Sequence, residues 1–303
     1  METSIHAIAC NKLLILFATI AITGIICSKG SELINIPDVV LFLIVGIFLG
    51  PSVLQIIDIS QFQLENQLIL TFGSAFILYM GGKEVSLKVL KNVKISVFLL
   101  STLGVVITSF LMAKLIGLNF QISFMTCLLA GSIIASTDPA TIVPIFNQVK
   151  IDKKVKQTVI SESALNDATG AIMTVAVLSI IMGGKFSIQQ NIYSLCIMII
   201  VGIMVGLITG LVLLFLVNDS PKGIFKDYTP IISILSVIIA YELSTYLGGS
   251  GYMSCFIVGL VTGNKQNFKL WLSQKHYDAD CHVAETVGTI CRMCIFIILG
   301  SQV

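Results

Sequence analysis

Residues 157–182, QTVISESALNDATGAIMTVAVLSIIM, join an apolar C-terminal half to a polar N-terminal half that holds two acids. Glu162 and Asn166 are four residues apart, as are Ser163 and Asp167, so on a helix each pair lies on one face. The segment is long enough for a helix to cross a bilayer. Because acids inside such a span are costly, Glu162 and Asp167 are candidate functional residues.

The rest of the chain has the composition of a protein surrounded by lipid. Its 303 residues are 56% hydrophobic and 11% charged, with a mean hydropathy of +0.98, whereas a soluble domain carries about 25% charged residues. This balance excludes a soluble enzyme and a nucleic-acid-binding protein. The eight cysteines lie mostly within apolar runs, which does not predict a disulfide framework. The sequence therefore predicts an all-α polytopic membrane protein.

Ten apolar segments separated by short polar breaks predict about ten transmembrane helices. Several are shorter than the roughly 20 residues that a straight span needs. Since no linker or soluble domain interrupts the series, we expect residues 1–303 to form a single transmembrane domain, with the first segment retained as a span. The predicted spans are 13–28, 34–50, 67–82, 93–116, 122–147, 157–182, 192–217, 229–247, 250–263 and 283–300.

The basic residues between the spans predict the orientation of the chain. Of the 18 Lys and Arg residues, fourteen fall in the odd-numbered loops, and the even-numbered loops hold only Lys114 and Lys185. Cytoplasmic loops carry an excess of Lys and Arg. We therefore expect odd loops in the cytoplasm, the N-terminus outside, and a multi-pass protein of the plasma membrane.

The fifth span, ISFMTCLLAGSIIASTDPATIVPIFN at 122–147, predicts one discontinuous helix. Pro139 has no N–H and clashes with a preceding helical turn, but it suits the first position of a helix that Asp138 would cap. We expect a break near 136–139 between two half-helices. A break in the membrane is tolerated where it is buried in protein or lines a wet cavity. The alternative is a proline kink satisfied by neighbouring helices.

Both acids are predicted at the same depth. Asp167 lies ten residues after Gln157, about 15 Å along a helix, which is half of a roughly 30 Å hydrocarbon core. Asp138 lies nine residues before Asn147, about 14 Å from that end. Spans five and six are joined by a short loop and should run antiparallel, so both carboxylates approach one midplane. A broken helix with acids at mid-depth is typical of a secondary transporter.

Two motifs in this region resemble a known family. ESALNDATG at 162–170 and STDPA at 136–140 resemble the signatures of the cation:proton antiporters of the NhaP and sodium/hydrogen exchanger type, and weaker similarities extend over almost the whole chain. The resemblance implies an inverted-repeat antiporter fold. Because that family normally continues for about three more helices, we expect the repeat to be incomplete and the exchanger domain to be C-terminally truncated relative to the family.

The resemblance also implies roles for residues. Asp167 would be the carboxylate that exchanges a proton for a cation, and four further residues would complete the cation- and proton-binding site: Asn166, Asp138, Thr137 and Ser163. Transported Na⁺ would bind transiently to Asp167, Asp138 and Ser163. Structural or gating positions near the site would be Glu162, Pro139 and Glu84. For Glu84, a solvated charge at a helix end beside Lys83 is an equal alternative.

The expected function is therefore the exchange of a monovalent cation for H⁺, with Na⁺ first and Li⁺ or K⁺ as alternatives. Carboxylate, hydroxyl and carbonyl oxygens are the ligands that hard cations prefer. Competition of cation and proton for Asp167 would couple the two fluxes. Since Asn166 precedes Asp167, the resemblance implies electroneutral exchange. Cations, protons and lipid are the expected partners, with no resident cofactor and no nucleic acid. Gly202, Gly206 and Gly210 predict close helix packing, and a homodimer is the expected assembly.

Two other functions remain open on the sequence. Asp138 and Asp167 could share a proton as the pair of an intramembrane aspartyl protease. The Gly-x-Gly-Asp context of such proteases is absent, and the proline after Asp138 favours a broken helix. The third possibility is a truncated membrane protein that does not transport.

Overall fold

The computed structural model describes residues 2–34, 36–57, 62–137, 146, 151–182, 188–218, 225–268 and 274–303. These residues contain ten helices that correspond one to one with the ten predicted spans, and they contain no β-strand. The helices are α1 (Glu2–Ile34), α2 (Asp38–Leu49), α3 (Gln63–Glu84), α4 (Leu87–Asn119), α5 (Phe124–Ile134), α6 (Lys153–Ile181), α7 (Ile188–Val217), α8 (Thr229–Tyr246), α9 (Gly251–Gly263) and α10 (Gln274–Ser301).

The predicted all-α architecture is confirmed, but several helices extend beyond their apolar segments. α4 begins at Leu87 rather than at residue 93, and α10 begins at Gln274 rather than at residue 283. Lys, Gln and Glu are good helix formers, so a helix continues past the part that must be apolar. Within the described ranges, five helices are long and apolar enough to cross a membrane, while α2, α5 and α9 are apolar but shorter.

Polar and apolar side chains are distributed as lipid requires. Large apolar side chains are exposed along the helices, for example Leu118 at 74% and Ile200 at 59%, whereas the side chains of Ser109, Ser132 and Ser254 are fully buried. Lipid tails do not drive apolar groups inward, but a hydroxyl in lipid lacks a hydrogen-bond partner. The distribution therefore identifies a membrane protein.

The chain divides into two compact units. One contains Met1–Ser74 and His282–Val303, and the other contains Ala75–Cys281. In the first unit, α2 and α10 approach so closely that a Cβ atom on Gly46 would meet the backbone of Ile297. The second unit contains α4 to α9 and the polar residues of α5 and α6 described below.

A stripe of glycines on α7 packs against α9. A Cβ atom on Gly206 would lie 2.5 Å from the carbonyl oxygen of Ser254 and 2.7 Å from the Cβ atom of Ile257. Gly202 and Gly210 meet Met253 and Val261 of the same helix in the same way. Small residues let two membrane helices approach closely. The predicted close packing is thus confirmed, and it lies within one chain rather than between two copies.

A buried ion pair joins the ends of α3 and α10 within the second unit. Lys83 Nζ lies 2.6 Å from Asp280 Oδ2, and their side chains are 8% and 6% exposed. The rings of Tyr79 and Tyr277 are each centred 5.4 Å from the same ammonium. Lys265 Nζ lies 3.5 Å from the centre of the Tyr277 ring, and burial lowers the pKa of Lys265. Because removing one partner would leave a charge buried alone, this pair fixes how the two helix ends meet.

Gly206→Ala is expected to destabilise the protein, because its new methyl group has no space between α7 and α9. Overpacking of this kind costs about 1–3 kcal/mol, which a thermal unfolding curve in detergent would report as a lower midpoint. Gly104→Ala is the matched control, since the atoms nearest to its Cβ lie 4.0 Å away, and it should be neutral. Equal effects of the two substitutions would contradict the close approach.

Candidate functional site

Asp167 lies at the middle of α6. The helix begins after Asp152, whose side chain accepts a hydrogen bond from the backbone N–H of Lys154 at 2.7 Å and so caps the first turn. Asp167 is equally far from Lys153 and Ile181, about 21 Å from either end at 1.5 Å per residue. A carboxylate in this position is as far from both helix ends as the helix allows.

The helix that faces it, α5, has 11 residues and is too short to cross a bilayer by itself. Its last helical residue is Ile134. Ala135 is the C-cap and keeps helical dihedral angles, and residues 136 and 137 follow outside the helix. The first part of the predicted discontinuous helix therefore ends as expected. Asp138 and Pro139 lie outside the described residues, so the second half-helix and the Asp138 carboxylate remain predictions.

The end of α5 is bonded to α6 through Thr137. Ser163 Oγ donates to the Thr137 carbonyl oxygen at 2.6 Å, and Thr137 Oγ1 donates to Ser163 Oγ at 3.1 Å. Asn166 Nδ2 donates to Thr137 Oγ1 at 2.6 Å and to Glu162 Oε1 at 2.9 Å. The two hydrogens of the Asn166 amide nitrogen go to different acceptors, so these bonds fix the orientation of the amide, with its oxygen turned away from Glu162.

Ser136 completes the contact between the two helices. Its Oγ lies 2.8 Å from Asp167 Oδ1 and 3.2 Å from Asn166 Oδ1. The hydroxyl has one hydrogen, and the shorter contact to a carboxylate is the stronger, charge-assisted bond. Gly170 makes this approach possible, because a Cβ atom there would lie 3.0 Å from Ser136 Cβ.

Ser136 and Gly170 also belong to this cluster, and the sequence assigned neither of them a role. Both belong to the quoted motifs, STDPA and ESALNDATG, and that membership was the only available signal. Four binding-site residues predicted from the sequence lie in the described ranges, and the structure brings them together where α5 ends: Thr137, Ser163, Asn166 and Asp167. Glu162 joins them through Asn166.

Glu84 is not part of this cluster. Its Oε2 lies 2.7 Å from Lys156 Nζ, and its carbonyl oxygen accepts from Gln157 Nε2 at 3.4 Å. Lys156 precedes Asp167 by three turns of α6, about 16 Å. The structure therefore gives Glu84 a structural position, joining the end of α3 to the start of α6.

The cluster offers oxygen ligands of the kind that bind hard cations. Ser163 and Asn166 are fully buried, while Asp167 is partly exposed. Across the described ranges, no group of three or more His, Cys, Asp or Glu residues is arranged to hold a metal ion. A cation here would be bound by hydroxyl and carbonyl oxygens together with the carboxylate of Asp167.

A polytopic helical bundle in which α5 ends beside a carboxylate at the middle of α6 places the protein in the class of secondary transporters. The chain belongs to the sodium/hydrogen exchanger family, whose transmembrane sequence profile matches residues 15–303.

Named relatives agree with this assignment. A probable Na⁺/H⁺ antiporter 2 of Methanocaldococcus jannaschii is 28% identical over 299 residues, covering 92% of this chain and 67% of the relative. The K⁺/H⁺ antiporter NhaP2 of Shewanella oneidensis is 27% identical over 297 residues, covering 96% and 49%. The chain thus spans between half and two thirds of the length of these relatives.

The fold also matches a solved structure. The sodium proton antiporter MjNhaP1 from Methanocaldococcus jannaschii, determined at pH 8, superimposes with a TM-score of 0.75 at 26% identity. The match covers 96% of this chain and 71% of that one. The antiporter fold expected from the sequence is therefore confirmed.

Thr137→Val is expected to destabilise the contact between α5 and α6. It keeps the size of the side chain but removes the acceptor of Asn166 and the donor to Ser163, and an unsatisfied buried polar group costs about 1–3 kcal/mol. Thr102→Val is the matched control, because the Thr102 hydroxyl bonds only its own helix, at Phe98 O. Thermal unfolding in detergent should show a lower midpoint for the first variant alone.

Proposed function

We propose that this protein exchanges a monovalent cation for a proton across the membrane, and that both compete for Asp167. The observation that supports this most directly is the position of that carboxylate. It lies at the middle of α6 and is bonded by Ser136, beside the hydroxyls of Thr137 and Ser163 and the carbonyl oxygen of Thr137.

The mechanism follows from the single charge of the carboxylate. With a proton bound, Asp167 is neutral and offers little to a cation. With the proton released, the negative carboxylate and the neighbouring oxygens replace part of the hydration shell of the cation. One site holds one of the two ions at a time. In this scheme the site changes sides of the membrane only when it holds one of the two ions. A cation carried in one direction is then followed by a proton carried in the other, and competition for Asp167 couples the two fluxes.

The stoichiometry is proposed to be one cation for one proton. Asn166 lies beside Asp167 and does not titrate, and its amide nitrogen is committed to Thr137 and Glu162. Glu162 is therefore assigned to holding Asn166 rather than to carrying the transported proton. Asp138, directly after Thr137, is proposed as an additional oxygen ligand. Under this scheme each cycle moves no net charge.

Na⁺ is the first candidate for the cation, and K⁺ the second. The names of the relatives point both ways, since one is a probable Na⁺/H⁺ antiporter and another a K⁺/H⁺ antiporter. Those names give the protease alternative no support. The basic odd-numbered loops favour an orientation in which α6 begins at the cytoplasmic side. The plasma membrane is the proposed location, and a homodimer is the proposed assembly.

Asp167→Asn is expected to abolish exchange, because an amide neither releases a proton nor carries a negative charge. The measurement uses everted membrane vesicles that contain the full gene product and hold a pH gradient. NaCl or KCl should dissipate the gradient in vesicles with the unaltered protein and leave it intact with the variant.

Asp152→Asn is the matched control, because it removes an acid from the same helix while keeping a good N-cap. It should retain the response. A response to either salt that survives Asp167→Asn would refute the site, and the absence of any response with the unaltered protein would refute the exchange.

The rate of exchange should not depend on the membrane potential. An exchange that moved one net charge would gain or lose about 2.3 kcal/mol per 100 mV, so its rate would change when a potential is imposed across liposomes. We expect equal initial rates of cation uptake with and without the potential. A clear acceleration by one polarity would show that the exchange is electrogenic.

A further inference from the structure

Ser136 contacts the face of α6 on which the exchange carboxylate lies. Its hydroxyl is within hydrogen-bond distance of two neighbouring residues, Asp167 Oδ1 at 2.8 Å and Asn166 Oδ1 at 3.2 Å. Gly170 is three residues after Asp167 and four after Asn166, so all three share that face. The missing side chain of Gly170 leaves the space that Ser136 Cβ occupies.

The bonds of Asn166 determine which contact the Ser136 hydrogen makes. Both hydrogens of Asn166 Nδ2 are donated to Thr137 and Glu162, so its amide oxygen faces Ser136 as a neutral acceptor. Asp167 offers a charged acceptor at the shorter distance. Because hydrogen bonds to charged groups are stronger than those between neutral groups, the Ser136 hydrogen belongs to Asp167.

We propose that Ser136 is a positioning residue for cation binding, which holds the Asp167 carboxylate in the orientation that receives the cation. The inference rests on the exchange function proposed above. Ser136 lies in the non-helical segment after α5, next to the Thr137 carbonyl that Ser163 binds. Its hydrogen bond therefore links the carboxylate of α6 to the same segment that supplies the other oxygens, and keeps these ligands at a fixed separation.

Ser136→Ala should raise the KM for Na⁺ and for K⁺ about tenfold, the effect of one hydrogen bond to a charged group, while the maximal rate stays within about twofold. A carboxylate that has lost the hydrogen bond from Ser136 is oriented less well for the cation, but the proton and the cation still compete for it. Ser136→Thr keeps a hydroxyl on the same Cβ atom, within reach of Asp167. This conservative variant should restore the KM.

Ser132→Ala is the matched control. Ser132 lies one turn earlier on α5 and is fully buried. Its hydroxyl donates to Leu129 O at 2.8 Å and accepts from Thr174 of α6 at 3.1 Å. The substitution Ser132→Ala thus removes a hydroxyl between the same two helices without affecting a contact of Asp167, and the KM should stay unchanged.

The outcomes separate this inference from the proposed function. Kinetics are measured in proteoliposomes with the full gene product, and cation-dependent thermal stabilisation in detergent measures binding without transport. A raised KM for Ser136→Ala that Ser136→Thr corrects supports the inference. An unchanged KM, or a lower maximal rate at unchanged KM, overturns it while exchange by the unaltered protein stands. No exchange by the unaltered protein overturns the proposed function instead.

Discussion

The site depends on one constraint, which is that a polar group inside a membrane must find its partner within the protein. α5 ends at Ile134, so the backbone that follows it loses the bonds a continuous helix would have made. The carbonyl of Thr137 is satisfied by the hydroxyl of Ser163, and the hydroxyl of Thr137 is satisfied by Asn166 and Ser163. The polar half of α6 therefore supplies the bonds that an interrupted neighbour requires.

Under the proposed exchange, the same bonds would make the cluster suitable for a small ion. Polar groups that are hydrogen-bonded to one another in the absence of a cation are already close together, so little rearrangement would be needed to bind one. In the proposed exchange, Asp167 is the one residue of this cluster whose charge changes. Glu162 and Asn166 hold each other, which keeps a second acid engaged in structure. Under the proposed exchange, the stability of the helix contact and the affinity for a cation would thus rest on the same residues.

Packing elsewhere in the chain brings pairs of helices into close contact. The glycines of α7 allow α9 to approach so closely that even one methyl group lacks space, and the many small dispersion contacts of such an approach add up. Lys83 and Asp280 pair in a nearly solvent-free position, where either charge alone would be unstable. Glu84, the next residue of α3, pairs instead with Lys156 of α6. Neighbouring residues of one helix end therefore connect it to two different helices.

The sequence by itself determined the ten helices of the described ranges, the end of α5 before Pro139 and the position of Asp167 near the middle of α6. These features follow from local properties, namely the length of apolar segments, the chemistry of proline and the rise of a helix. It also placed Glu162 with Asn166, and Ser163 with Asp167, on shared faces. Only the tertiary structure decided that Ser136 bonds Asp167, that Lys83 finds Asp280, and that Glu84 lies apart from the site. Those contacts depend on how two helices cross, and a periodic pattern within one helix carries no information about the neighbour that it will meet.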